Sequence, residues 1–100
     1  MSTYSRIEII ANQAVEEDIF DRLAFVQAGN MFTRISPVYG KGNSGQRLGN
    51  PTWPEENIML IIYCSSQERD RIIEAISQVK KLYPEEGIKL FCFEVEATIL

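Results

Sequence analysis

The stretch "NIMLIIYCSSQERDRIIEAISQVKKLYPEEGIKLFCFEV", residues 57–95, holds a strand, a helix and a second strand in order. Ile58 to Ile62 form an unbroken apolar run that is short and rich in β-branched side chains, so 57–64 reads as a strand buried on both faces. Ser65 stands three residues before Glu68, the spacing of a capping box, where a hydroxyl accepts a first-turn backbone N–H. Ile72, Ile73, Ile76, Val79 and Tyr83 then recur at helical intervals as one apolar stripe. Lys80 and Lys81 sit near the helix's C-terminal end, where its dipole favours cations, and Pro84 closes it. From Lys89 to Val95 the period returns to two, with Phe91, Phe93 and Val95 alternating against Cys92 and Glu94.

The preceding residues repeat this in type. Residues 6–12, RIEIIAN, read as a strand with Ile7 and Ile9 pointing one way and Ile10 the other. From about Val15 to Ala28 the spacing predicts a helix with a stripe of Val15, Ile19, Phe20, Leu23 and Val26. Glu16, Glu17 and Asp18 favour its first turn, and Gly29 is the expected C-terminal cap. Residues 31–38, MFTRISPV, read as another strand, in which Pro37 marks an edge or an end. The order βαββαβ predicts an α+β, ferredoxin-like sandwich: a four-stranded antiparallel sheet with two helices on one face. Strands that are apolar on both sides then leave apolar side chains on the uncovered face, so a homo-oligomer is expected.

The totals agree with one domain over residues 1–100. A chain of 100 residues buries roughly two thirds of its unfolded surface. With 45% apolar and 24% charged residues the balance is globular. A net charge of −4 argues against nucleic-acid binding, which needs a basic footprint. No apolar run is long enough to insert into a bilayer and no signal-peptide pattern opens the sequence, so a cytoplasmic protein is expected. There is no histidine, which removes the usual general base and the commonest transition-metal ligand. Neither catalysis nor a metal site is expected. Glu94 and Glu96 with Glu8 offer three carboxylates, but such groups on a strand surface serve solubility. Cys64 and Cys92 read as buried small hydrophobes.

Between the second and third strands lies a segment, about 39–56, with four of the chain's six glycines. Gly40-Lys41-Gly42-Asn43-Ser44-Gly45 matches the letters of a dinucleotide fingerprint. That fingerprint must open a helix whose N-terminus receives the pyrophosphate, and residues 46–54, with Gly49, Pro51 and Pro54, form none. The match is therefore coincidental. A structureless connection this long in a small domain is nevertheless usually functional. Glycine-rich backbone with Lys41 and Arg47 suits a small anion, and Trp53 between two prolines suits a partner anchor.

Several stretches carry a family resemblance. Arg6-Ile7-Glu8-Ile9-Ile10 resembles the first strand of the P-II signal-transduction family. Val38-Tyr39-Gly40-Lys41-Gly42 resembles the entry to its T-loop, and Lys89-Leu90-Phe91-Cys92-Phe93-Glu94-Val95 its fourth strand. The resemblance spans residue 5 to about residue 96 and implies a regulatory homotrimer that is not an enzyme. It implies a small anionic ligand, with ATP or ADP as candidates, held in clefts between subunits. It further implies a loop that docks on a partner such as a membrane transporter or an enzyme. Carried onto this sequence, the ligand-binding positions are Gly40, Lys41 and Gly42 at the loop entry with Gly87 and Lys89 before the fourth strand; the loop's own residues add Arg47 for the ligand and Trp53 for the partner. The chain departs from the family at 83–89, YPEEGIK, where only Gly87 and Lys89 match the phosphate-binding B-loop and where Glu85 and Glu86 oppose an anion. No arginine follows the fourth strand, the T-loop is short, and Tyr39 stands at its base rather than its tip. These departures describe a divergent P-II-like protein better than a nitrogen regulator, and they leave a different ligand open beside ATP and ADP. Two alternatives share the fold type: a trimeric CutA-type metal-tolerance protein, and a small dimeric ferredoxin-like enzyme using Tyr63 or Trp53.

Overall fold

The computed structural model describes residues 2–42, 45–47, 49 and 55–100; Trp53 lies outside them. Strand β1 (Ser2–Asn12) leads through a short 3-10 turn (Gln13–Val15) into α1 (Glu16–Phe25). Then follow β2 (Thr33–Val38), β3 (Gly40–Gly42), β4 (Gly45–Arg47), β5 (Asn57–Cys64), α2 (Ser66–Leu82) and β6 (Ile88–Ala97). The main sheet has the order β2-β5-β1-β6 with every pairing antiparallel, which is the ferredoxin-like arrangement. β3 and β4 pair with each other as a separate small hairpin.

The two-residue period of a strand sorts the side chains. Ile7, Ile9 and Ala11 of β1 and Ile58, Leu60 and Ile62 of β5 are buried against Ile19 and Leu23 of α1 and Ile72, Ala75, Ile76 and Val79 of α2. The other face has no helix over it. It carries Tyr4, Ile10, Met59, Ile61 and Val95, partly exposed, and Ile35, Tyr63, Phe91 and Phe93, exposed at 43%, 51%, 47% and 47%. Arg6 crosses this face: its guanidinium donates to Glu8 at 3.0 Å and to the Tyr63 hydroxyl, and the Glu8 bond is the main cause that raises its pKa.

Several elements differ from the sequence reading. The structureless connection expected over 39–56 contains the β3–β4 hairpin, in which Gly40 faces Arg47 and Lys41 faces Gln46. Helix α1 stops at Phe25 instead of running to Ala28; the chain turns through Gln27 at φ 54° and Gly29 at φ 70°. In α2 the buried stripe takes in Ala75, while Ile73 and Tyr83 are each 37% exposed. The Ser65 hydroxyl accepts the Glu68 N–H at 3.2 Å, as a capping box requires. The reciprocal half is absent: the Glu68 carboxylate accepts the Gly29 N–H at 2.8 Å and pins the end of α1 to the start of α2. Cys64 is buried but Cys92 is exposed, because edge strand β6 is only partly covered by α2. Glu8 cannot join Glu94 and Glu96: Glu94 lies opposite Ser5 and Glu96 opposite Thr3, placing both on the face away from Glu8. Pro37 sits on edge strand β2 where its register with β5 shifts.

Candidate functional site

The C-terminal end of β1, the start of β6 and the last turn of α2 converge at one end of the sheet. Tyr83 closes α2, its N–H donating to Val79 O at 3.0 Å, and a tight turn over 84–87 returns the chain to β6. Two side chains fix this turn. Lys80 Nζ donates to Ile88 O at 2.9 Å, and the Tyr83 hydroxyl donates to Asp18 at 3.0 Å. The hydrogen bond to the Asp18 carboxylate holds the phenolic proton and raises the Tyr83 pKa, and the repulsion between the two negative charges that its loss would leave adds to the shift.

Against the turn lies a cavity of about 440 Å³, lined by Ile10, Lys41, Gly42, Lys80, Tyr83 and the segment 84–89 without Glu85. Three lysines, Lys41, Lys80 and Lys89, meet a single carboxylate, Glu86, so the lining carries two net positive charges (3 − 1). Gly42 and Gly87 add backbone without side chains, through which amide dipoles can approach a ligand. Ile10 supplies an apolar wall. Such a lining favours a small anion with an apolar part.

Of the residues singled out in the sequence, Lys41, Gly42, Gly87 and Lys89 come together here although Gly87 stands 46 positions after Lys41 (87 − 41). Gly40 begins β3 outside the lining, where an added Cβ would find the Asn57 amide at 3.9 Å. Arg47 is 6% exposed and makes an ion pair with Glu55 at 3.0 Å. Glu85, expected to oppose an anion, does not line the cavity; Glu86 does, and its carboxylate accepts the Asn12 amide at 3.0 Å. Lys80 was legible only as a helix-end cation. Its place in the wall depends on the return of the chain from α2 to β6, which spacing alone does not reveal. Among the described residues no cluster of three or more metal-ligating side chains occurs, and no helix is long and apolar enough to cross a membrane.

The sequence matches the family described as nitrogen regulatory protein P-II over residues 4–100. The chain belongs to this regulatory family. No curated protein matches it. Among solved structures, CPII, a nitrogen regulatory PII-like protein from Thiomonas intermedia K12 bound to ADP, AMP and bicarbonate, is 19% identical, with a TM-score of 0.70 over 94% of this chain and 89% of that one. A DUF3240 family protein from Shewanella baltica OS155 is 18% identical, with a TM-score of 0.70 over 100% and 98% of the two chains. The B. subtilis GlnK–ATP complex is 23% identical, with a TM-score of 0.63 over 95% and 84%. At these identities the likeness is one of fold.

Proposed function

We propose that the chain is a P-II-type sensor: a single-domain, cytoplasmic homotrimer, not an enzyme, that takes a small phosphate-bearing ligand into clefts between its subunits. ATP and ADP are the first candidates. The occupied state signals through the 39–56 loop, with Trp53 as a contact, to a partner protein such as a transporter or an enzyme. The observation that carries the reading is the cavity, which unites Lys41 and Gly42 from the loop with Lys80, Gly87 and Lys89. Its volume falls within the range of roughly 300–1,000 Å³ common for small-molecule sites. Relatives of this fold described as complexes with ADP, AMP or ATP support the ligand class.

The trimer rests on the uncovered sheet face. Ile10 and Lys89 lie opposite each other on that face and also line the cavity. A second copy packed on the face would therefore stand at the cavity's mouth and complete a cleft. Calorimetric titration with ATP, ADP and AMP, with and without magnesium, tests the proposal. Saturable binding near one site per chain is expected. Replacing Lys89 with Ala should weaken it at least roughly tenfold, the usual size for a bond to a charged group. No heat with any of the three nucleotides would overturn the nucleotide reading.

A further inference from the structure

One buried side chain bridges the cavity wall and the loop. Asn12, at the end of β1, is 4% exposed. Its N–H donates to Gly87 O at 3.3 Å, and its side-chain oxygen accepts the Ala14 N–H at 3.1 Å. Its Nδ2 donates to two carboxylates from separate segments: Glu86 at 3.0 Å, on the cavity wall, and Glu55 at 3.2 Å, at the exit of the loop. Glu55 is also ion-paired with Arg47 of β4, and its carbonyl accepts the Gly49 N–H at 3.2 Å. The next residue, Gln13, donates its N–H to Glu56 O at 2.9 Å. An unbroken polar chain thus runs from Glu86 through Asn12 and Glu55 to the β3–β4 hairpin.

We propose that Asn12 is a positioning residue that couples the cavity wall to the hairpin by dividing its two amide protons between Glu86 and Glu55. Two carboxylates within reach of one nitrogen repel each other, and the shared donor together with Arg47 holds them in place. In a buried setting each bond depends on its neighbours, so loss of one end changes the other. Negative charge entering among Lys41, Lys80 and Lys89 acts on Glu86 first. Asn12 passes that change to Glu55 and so to the strand that carries Arg47. This gives the sensor reading a specific route from ligand to loop, and it rests on that reading for its biological meaning.

The test is a ligand-free cycle on the full chain, reading trypsin cleavage after Arg47 by mass spectrometry. The proteins are wild type, Asn12→Ser, Glu86→Ala and the double variant. Serine keeps an oxygen for the Ala14 N–H, since it is itself a good N-cap, but loses the two-proton donor. Glu86→Ala is expected to raise cleavage roughly tenfold in wild type, as loss of a bond to a charged group allows when cleavage follows the open population. In the Asn12→Ser background this rise should vanish or turn into a fall, because only the repulsion between Glu86 and Glu55 is then left to relieve. Glu55→Gln, which leaves Asn12 and its cap intact, should blunt the Glu86→Ala effect in the same way. Equal effects of Glu86→Ala in both backgrounds, or no effect in wild type, would overturn the coupling. Nucleotide titration of wild type separates the two claims. Coupling without nucleotide binding removes the ligand reading and leaves the wiring, and binding with additive variants removes the wiring alone.

Discussion

The uncovered sheet face makes a quantitative prediction about assembly. Phe93 lies opposite Arg6 on that face, 47% exposed and away from the core that the helices build. A whole Phe side chain presents roughly 200 Å², so burial of the exposed part would remove about 90 Å² from water. At ~25 cal/mol per Å² this is about 2.3 kcal/mol for each copy, or about 7 kcal/mol for three copies in a closed ring. Phe93→Ser should therefore raise the dissociation constant of the assembly by about five powers of ten. Sedimentation equilibrium from nanomolar to micromolar concentration is the assay. Wild type should sediment at three times the 11.4 kDa chain mass, and the variant should separate into single chains. Because Phe93 lies on the sheet face away from the helix-side core and outside its buried cluster, far-UV circular dichroism should stay unchanged. A single-chain mass for wild type, or an undisturbed assembly in Phe93→Ser, would refute the reasoning.

The helix-side core answers differently. Ile72→Ala removes a fully buried side chain and should cost about 2–5 kcal/mol, seen as a lower midpoint in urea. At Gly29, with φ 70° and Ile62 and Leu23 at 3.4 Å from an added Cβ, alanine should cost about 1–2 kcal/mol in the same assay. Burial pushes the Cys64 thiol up to about 11, with the Glu68 carboxylate adding to the shift. The unfolded chain thus loses this proton at lower pH than the folded one, and stability should fall as pH rises from about 9 toward 11. In native protein at pH 8, iodoacetamide should label exposed Cys92 and spare Cys64, as mass spectrometry would report.

Much of the fold could be read from periodicity because burial is regular. The strand 57–64 appears with the bounds expected of it, since its apolar run ends at a capping serine on one side and loop residues on the other. The side assignment of Ile7, Ile9 and Ile10 also follows directly from alternation. The misses have physical causes. Ile73 fits the helical spacing as well as its neighbours do, and only the packing of α2 on the sheet turns it outward in favour of the smaller Ala75. Cys92 shares a sheet face with the buried Ile7, but its strand is at the edge, a position spacing does not encode. The cavity was half legible. Lys41 and Gly42 stood out in the glycine-rich loop, Gly87 and Lys89 came from the resemblance, and Lys80 and Asn12 owe their places to chain reversals that bring distant segments together. Arg47, singled out for an anion, is placed with Glu55 instead.

The central claim is that the cavity beside the α2–β6 turn receives an anion. Nuclear magnetic resonance of ¹⁵N-labelled protein titrated with ADP tests it residue by residue. The account predicts saturable shifts of the Gly42, Gly87, Ile88 and Lys89 amides, with Asn12 and Glu55 following on the same isotherm. Shifts confined to other surfaces, or a spectrum unchanged at millimolar ADP, would contradict it.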